Sequence, residues 1–324
     1  MHWASGSGSA AYAEPTRTHL DGQGMGTWYD TRYVDDVRPG DHAWLPYSGA
    51  EERDHVVAPF VAGALATNEK IVYVTDAPPA RLPGMTGLDP AAFTATGQLR
   101  VLTRAESCLD AAGGFDPDRL ARTIDREVER GYDAGYRAVR FTTDFTWALT
   151  SGTGLTGLLG CEDRLAHAVS PSTVAMAVCQ IDRRRCPPDR LAELGATHEV
   201  RVEGNPLFDD GTLRLARSFA PRGLRIEGEL DGARHAVFAE HLGRLLAGRR
   251  GVHLDCAGLG FLDLGGLNLL VRHALALPRG EALILDDLPA NVENVIDMVG
   301  WNRLPGLVPG RARGARDGGA TAWA

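Results

Sequence analysis

Short apolar runs alternate with longer segments of helical periodicity from Val37 onwards, and this alternation limits the possible folds more than any other feature. Residues 70–75 (KIVYVT) form a continuous β-branched and aromatic run, which is typical of a strand buried on both faces of a parallel sheet. Residues 51–66 carry apolar side chains at helical spacing. Further strands are predicted at 42–47, 99–102, 138–142, 174–179 and 198–202, further helices at 117–134 and 159–168, and a turn at 189–194. Repeated strand–helix–strand units predict an α/β domain with helices on both faces of its sheet.

A second series of strands and helices follows a segment that is dense in turn-forming residues, 203–211 (EGNPLFDDG). We therefore predict a first domain over 31–208 and a second over 209–308. Tails rich in small residues are predicted to be disordered at 1–30 and 309–324, and the first lacks the basic and apolar regions of a signal peptide. The second domain is predicted to have strands at 213–219, 224–230, 252–256 and 282–285, and helices at 233–247, 265–276 and 290–299. The helix at 265–276 is predicted to bury one stripe, formed by Leu267, Leu270, Val271 and Ala274, and the helix at 290–299 to carry one apolar face, formed by Val292, Val295, Ile296 and Val299.

Composition argues against several classes of partner. The net charge is −8 and the basic residues are scattered, so we expect no direct binding to nucleic acid. No apolar run approaches the roughly 20 residues that cross a bilayer, so we expect a cytoplasmic protein without a membrane anchor. The five cysteines are widely spaced and form no C-x-x-C pair, which predicts buried thiols in a reducing compartment and no metal site.

The second domain carries two short motifs in a diagnostic order, GELD at 228–231 and FLDLGGL at 261–267. With the order of its strands and helices, it resembles the STAS domain, which is named after sulfate transporters and anti-sigma-factor antagonists. The resemblance implies an anti-sigma factor or similar regulatory protein as the partner, and a possible homodimer. The implied docking residues are Asp231, Asp263, Leu264, Gly265 and Gly266. Asp263 is expected to cap the helix that follows, and the two glycines to leave its first turn bare for a partner's backbone.

In antagonists of this family, a serine that a partner kinase phosphorylates usually follows the loop aspartate. Here that position is Leu264, followed by Gly265. No Ser, Thr or Tyr occurs between Ser218 and Thr321. Because phosphate acts at such a loop by adding nearly two negative charges where the partner docks, we predict that phosphorylation of hydroxyl groups does not control this domain.

The first domain resembles the MEDS domain, a sensory module first described in methanogens and methylotrophs. The resemblance spans about residues 35–208. The segments that carry it are GDHAWLPY at 40–47, EE at 51–52, KIVYV at 70–74, GYRAVR at 135–140, DFTW at 144–147, CE at 161–162, VCQID at 178–182 and TH at 197–198, followed by Asn205. It implies a fold similar to the nucleotide-binding domains of RecA and KaiC. The predicted fold class is therefore a RecA/KaiC-like parallel sheet flanked by helices and lacking a P-loop lysine, followed by an α/β STAS domain.

A phosphate-binding loop of the form G-x-x-x-x-G-K-[ST] is missing after the first strand. Residues 47–52 (YSGAEE) offer one glycine, no lysine and two carboxylates, which would repel a triphosphate. The only lysine of the chain, Lys70, comes a whole helix later. We therefore expect no enzymatic activity. The alternatives are a degenerate nucleotide or small-molecule hydrolase and a structural scaffold for assembly; nucleophilic chemistry by Cys179 with His198 is a remote possibility.

A small-molecule or nucleotide site is expected in the crevice at the carboxyl ends of the parallel strands. The candidate ligand-binding residues are His42, Tyr47, Glu51, Asp76, Asp144, Trp147 and Gln180. Trp147 would wall an apolar pocket, while polar side chains such as Asp144 would orient the ligand. Each also has an ordinary explanation as a loop, core or capping residue. The sequence does not identify a cofactor or the sensed ligand.

Overall fold

The computed structural model describes residues 30–150, 154–170, 173–247 and 251–311, and the chain divides into two units between Glu203 and Gly204. The predicted tails at 1–30 and 309–324 lie almost entirely outside the described residues. The division comes a few residues before the predicted boundary at 208, because Phe208 already pairs with Leu215 in the second unit.

The first unit contains a seven-stranded sheet. Its strands are β1 (Asp30–Tyr33), β2 (His42–Tyr47), β3 (Lys70–Val74), β4 (Leu99–Leu102), β5 (Val139–Asp144), β6 (Ala175–Asp182) and β7 (Val200–Glu203). Their order across the sheet is β1-β7-β2-β6-β5-β3-β4, and all the pairs among these described strands are parallel. The predicted α/β class is confirmed. The edge strand β1 was not predicted, because four residues of mostly polar sequence (DTRY) give no apolar signal.

Helices cover both faces of this sheet. They are α1 (Ala50–Ala66), α2 (Pro90–Ala95), α3 (Arg104–Ser107), α4 (Pro117–Asp133), α5 (Gly154–Val169) and α6 (Pro188–Gly195). Helix α1 packs on one face, against side chains that include Leu45 and Tyr47. Helices α4 and α5 pack on the other, against side chains that include Phe141 and Cys179. Because side chains alternate along a strand, neighbouring residues of β2 contribute to different layers.

The second unit is built on a six-stranded mixed sheet. Its strands are β8 (Phe208–Asp209), β9 (Leu213–Phe219), β10 (Arg222–Leu230), β11 (Val252–Leu262), β12 (Leu283–Asp286) and β13 (Leu307–Pro309), in the order β13-β12-β11-β10-β9-β8. Strand β9 is antiparallel to β8 and β10, and the pairs from β10 to β13 are parallel. Alternate apolar residues of β9 to β12 and one side of α7 (His235–Leu246), α8 (Leu264–Leu275) and α9 (Ala290–Met298) form a single core.

Two details of the second unit differ from the prediction. Strand β11 was predicted to end at Cys256 but continues to Leu262, because two irregularities in its register with β10 let the pairing resume. Helix α9 was predicted to carry four valine and isoleucine side chains on one apolar face, but Val295 and Val299 are exposed and only the edge with Val292 and Ile296 meets the core. The buried stripe predicted for α8 is confirmed.

None of the helices in the described ranges combines the length and the apolar character that a membrane crossing requires.

Candidate functional site

A buried group of four ionisable side chains lies between the sheet of the first unit and helix α5. His42 is the first residue of β2, and Cys179 lies on the adjacent strand β6. Helix α5 contributes Glu162, and His198 comes from the turn between α6 and β7. All four residues are at most 5% exposed. Four separate segments of the chain therefore bring nitrogen, sulfur and oxygen atoms together in the interior.

The polar atoms of this group lie within contact distance of one another. His42 Nε2 is 3.1 Å from Glu162 Oε2 and 3.3 Å from Cys179 Sγ. His198 Nε2 is 3.4 Å from the same Glu162 oxygen, and the two imidazole rings stack with their centroids 4.2 Å apart. One carboxylate oxygen is thus the centre on which both histidines converge.

Hydrogen bonding within the group is incomplete. His198 Nδ1 lies 3.0 Å from the carbonyl oxygen of Leu194 and 3.0 Å from Thr197 Oγ1. The Thr197 hydroxyl donates its own proton to the same carbonyl at 2.8 Å, so both neighbours of Nδ1 act as acceptors and we place the ring proton on Nδ1. The Nε2 atom of His198 points at Glu162 without a hydrogen bond. Among the described residues, His42 Nδ1 and Glu162 Oε1 also lack a hydrogen-bonding partner. Buried polar atoms without partners are costly, and this group contains three of them.

Burial and mutual interaction shift the pKa values of the group. Burial lowers the pKa of the His42 imidazole, and His198 lowers it further. Burial acts in the opposite sense on Glu162, but the proximity of His198 and the hydrogen bond with His42 outweigh it and hold the pKa of Glu162 at about 2. Burial and the Glu162 carboxylate raise the pKa of the Cys179 thiol well above its ordinary value.

A second polar group lies at the carboxyl ends of the strands, on the face that packs against α1. Tyr47 Oη donates a hydrogen bond of 2.6 Å to Asp144 Oδ2, and Arg53 from α1 lies 3.6 Å from the same oxygen. The Arg53 guanidinium also stacks over the Tyr47 ring at 5.4 Å. Burial and then the Asp144 carboxylate raise the pKa of Tyr47 to about 12. The tyrosine therefore stays protonated and acts as a donor.

Next to this group, a cleft of about 440 Å³ opens between the second turn of α1 and the loop that follows β3. It is lined by Arg53, Asp54 and much of the segment 80–90. Arg53 thus connects the cleft with the Tyr47–Asp144 pair.

The start of α8 in the second unit presents apolar and polar groups side by side. Asp263 caps the helix by accepting a 2.7 Å hydrogen bond from the Gly266 N–H, and it accepts a second bond of 2.8 Å from His235 Nε2. The bond from Gly266, with the help of His235, lowers the pKa of Asp263. Leu264 is 62% exposed and Phe261 46% exposed on either side of this cap.

Asp231, at the end of the GELD segment, is held by its own turn. Its carboxylate accepts a hydrogen bond from the Ala233 N–H and pairs with Arg234 at 2.8 Å. Arg234 also pairs with Asp210 at 2.9 Å. This arrangement fixes the loop that precedes α7.

Comparison with known families identifies both units. Residues 41–199 match the model of the MEDS domain, the methanogen/methylotroph and DcmR sensory domain. Residues 213–309 match a model described as Mlab, STAS domain. The chain is a MEDS domain followed by a STAS domain. The predicted families and their order are confirmed.

Solved structures show weaker similarity. The chain is similar to a KaiC-like protein from the hyperthermophilic archaeon Pyrococcus horikoshii, with 16% identity and a TM-score of 0.37, over 59% of this chain and 80% of that one. It is also similar to the RadB recombinase, with 16% identity and a TM-score of 0.34, over 60% of this chain and 92% of that one. No curated protein matches the chain.

The predicted ligand-binding residues of the MEDS domain do not form a single site. Tyr47 and Asp144 meet at the strand ends as expected. His42 does not join them, because it begins β2 while Tyr47 ends it, and their side chains point to opposite faces. The expectation that His42 shares a crevice with Tyr47 is therefore corrected.

The other predicted residues of the MEDS domain have their own partners. Asp76 pairs with Arg104, whose guanidinium stacks over the Trp147 ring at 4.7 Å. Gln180 is buried and donates to Thr142 Oγ1 at 2.7 Å. Glu51 lies in the exposed first turn of α1.

The glycines of the STAS loop make room within their own domain. A Cβ at Gly265 would lie 2.4 Å from His235 Cε1, and one at Gly266 would lie 2.6 Å from Leu262 Cδ1. The idea that they leave the helix bare for a partner's backbone is corrected, because His235 and Leu262 already occupy that space. Exposed Leu264 is the side chain that projects outwards.

The sequence pattern marked Glu162 only as a family match and not as a site residue, and it did not connect Cys179 and His198 with His42. The residues are too far apart along the chain to form a spacing motif such as C-x-x-C or H-E-x-x-H. The polar residues inside otherwise apolar segments, His42 at the start of β2 and Glu162 within α5, were the available signal.

Proposed function

We propose that the protein is a signalling regulator in which the MEDS domain controls a STAS domain that docks an anti-sigma factor or a similar regulatory protein. A sensory domain joined to a STAS domain supports this reading. The observation that carries it is the exposed Leu264 at the start of α8, the position where antagonists of the family have their phosphorylated serine.

The surface around Leu264 has the composition of a docking site. Two large apolar side chains, Leu264 and Phe261, flank the polar pair of Asp263 and His235. Exposed apolar residues with a polar rim are typical of protein interfaces. Asp263 keeps both of its bonds without a partner, so the loop is ordered before it docks, which reduces the entropy cost of binding.

Control by phosphorylation is not part of the proposal. Leucine accepts no phosphate, and the sequence offers no hydroxyl between Ser218 and Thr321. The docking loop and the rest of the STAS domain after Ser218 therefore offer a kinase no hydroxyl group, and in this proposal the input comes from the MEDS domain. Such coupling requires that a MEDS ligand favours one state of the chain over another.

The experiment measures the affinity of the full chain for a panel of purified anti-sigma factors, with Leu264→Glu as the test variant. Glutamate places a charge in the proposed contact, and loss of a central apolar contact typically costs about 2 kcal/mol or more, so we expect at least a tenfold weaker complex. Leu275→Glu is the matched control, since Leu275 is 54% exposed at the far end of the same helix. Equal affinity of both variants would contradict the proposal.

Nucleotide hydrolysis is the alternative that we disfavour. The lone lysine, Lys70, sits at the amino end of β3, and its Nζ pairs with Glu127 at 2.7 Å in the interior. Phosphates in open α/β sheets bind at the other end of the strands. We expect no magnesium-dependent hydrolysis of ATP above the buffer background. Hydrolysis of ATP by the purified chain would contradict this prediction.

A further inference from the structure

We propose that His42, Glu162, Cys179 and His198 of the MEDS domain bind a divalent transition-metal ion of the zinc class. The proposal is independent of partner docking by the STAS domain. It rests on the geometry, the hydrogen bonding and the burial of these four side chains.

The distances fit a tetrahedral centre. All four potential ligand atoms lie within 4.8 Å of one another. With bonds of about 2.0–2.1 Å to nitrogen or oxygen and about 2.3 Å to sulfur, the edges of such a tetrahedron measure about 3.3–3.6 Å. Three of the separations in the group are 3.1, 3.3 and 3.4 Å, so small side-chain adjustments are enough to enclose an ion.

His198 is already arranged as a ligand. Its Nδ1 proton is engaged by the Leu194 carbonyl, which leaves the Nε2 lone pair directed at the Glu162 carboxylate. Two electron-rich atoms that face each other at 3.4 Å repel unless a cation lies between them. A backbone carbonyl that fixes the tautomer of a histidine is a common arrangement behind metal ligands.

The chemistry of the donor set selects the kind of ion. Two imidazoles, a thiolate and a carboxylate form a mixed set that suits Zn²⁺ and related transition metals rather than Mg²⁺ or Ca²⁺, which prefer oxygen. Binding replaces the thiol proton of Cys179, which leaves to solvent as the metal–sulfur bond forms. Because the protein supplies four ligands in its interior, no open position remains for a substrate, and the centre is structural or regulatory rather than catalytic.

The location gives the ion a mechanical consequence. The ligands come from β2, β6, α5 and the turn before β7. A bound ion would therefore tie α5 to three adjacent segments at one end of the sheet, and loss of the ion would release this attachment. Gain or loss of metal is thus a change that the MEDS domain can register.

The first test uses the full wild-type chain. The protein is stripped with a chelator, titrated with Zn²⁺, and analysed for metal content after gel filtration. We expect retention of about one Zn²⁺ per chain and a higher melting temperature in the loaded protein. With Co²⁺ in place of Zn²⁺, we expect the visible bands of a tetrahedral ion and a sulfur-to-cobalt charge-transfer band. A folded chain that retains neither ion would overturn the proposal and favour a buried ion pair between protonated His198 and Glu162.

The second test separates the proposed ligand from a neighbouring thiol. Cys179→Ser should abolish the charge-transfer band and weaken metal binding by at least about 100-fold, because it removes a direct ligand. Cys161→Ala is the matched control, since Cys161 is equally buried and directly precedes Glu162 on α5. It should keep both the band and the affinity. An unchanged band in Cys179→Ser, or its loss only in Cys161→Ala, would overturn the assignment, and the wild-type spectrum remains decisive if a variant fails to fold.

Discussion

At the scale of single residues, the chain uses its one lysine inside the MEDS domain rather than at a binding surface. Lys70 and Glu127 are less than 10% exposed and pair at 2.7 Å, and Arg130 adds a second contact to Glu127. Burial raises the pKa of Glu127, but its bonds to Lys70 and Arg130 outweigh burial and lower it. A buried ion pair of this kind adds little stability compared with a well-packed apolar pair. Removing one of its two members is nevertheless strongly destabilising, because the other charge stays buried without a full partner.

We expect Lys70→Met to lower the free energy of unfolding by about 3 kcal/mol, because it leaves Glu127 buried with Arg130 alone. The double variant with Glu127→Leu should recover most of the loss. The lowered pKa of Glu127 means that its contribution is present above the pKa of an unfolded glutamate, about 4.3, and disappears as the pH falls further. Urea denaturation of the wild-type chain, the single variant and the double variant at pH 7 measures the change in the free energy of unfolding. Equal loss in the single and double variants would show that the pair is not coupled.

The residue scale also shows what sequence reasoning could not reach. That Lys70 is buried follows from its place at the start of an apolar strand, but its partner lies on a helix more than fifty positions away. The same holds for His42 and Glu162, which are 120 positions apart. A single sequence contains no signal for such pairs, because they depend on how the helices are seated on the sheet.

At the scale of elements, the strands and helices were largely predictable, whereas their ends were not. The continuous apolar run predicted β3, and the helical spacing of apolar residues predicted the buried stripe of α8. Both predictions are confirmed. Strand β11 extends past its predicted end because pairing to β10 resumes after local irregularities, which depend on the partner strand. Gly265 was predicted to leave space for a partner, but it leaves space for the ring of His235. The sequence could not show this contact, because His235 lies on another helix.

The junction of α7 and α8 therefore yields a prediction about Gly265. Gly265→Ala should push His235 out of place, because the new Cβ would lie 2.4 Å from its ring, and the hydrogen bond from His235 to Asp263 would break. We expect a loss of about 1–2 kcal/mol in stability, the typical cost of overpacking or of a lost charge-assisted bond. Gly260→Ala is the control, since its nearest contact is at an ordinary 3.6 Å. Thermal denaturation compares them, and equal melting temperatures would contradict the proposed packing.

At the scale of the whole molecule, the STAS domain is a self-contained element of the chain. Its sheet and core are formed within residues 204–311 of the described chain, and its proposed docking residues all lie on its own elements. A domain with a separate core is expected to fold alone. Control by the MEDS domain must then appear as a difference between the full chain and the isolated domain.

We therefore expect residues 204–311, expressed alone, to unfold cooperatively and to bind the partner with an affinity that Zn²⁺ and small-molecule ligands leave unchanged. In the full chain, the same additions should change the affinity by about 5- to 150-fold, the usual range of coupling between two sites, and the partner should change the metal or ligand affinity by the same factor. Titration calorimetry on both proteins, with Cys179→Ser in the full chain as the control for the metal effect, measures all of these quantities. If the affinity of the full chain does not respond to any addition, the MEDS domain does not control docking, and the two domains act as independent binding modules.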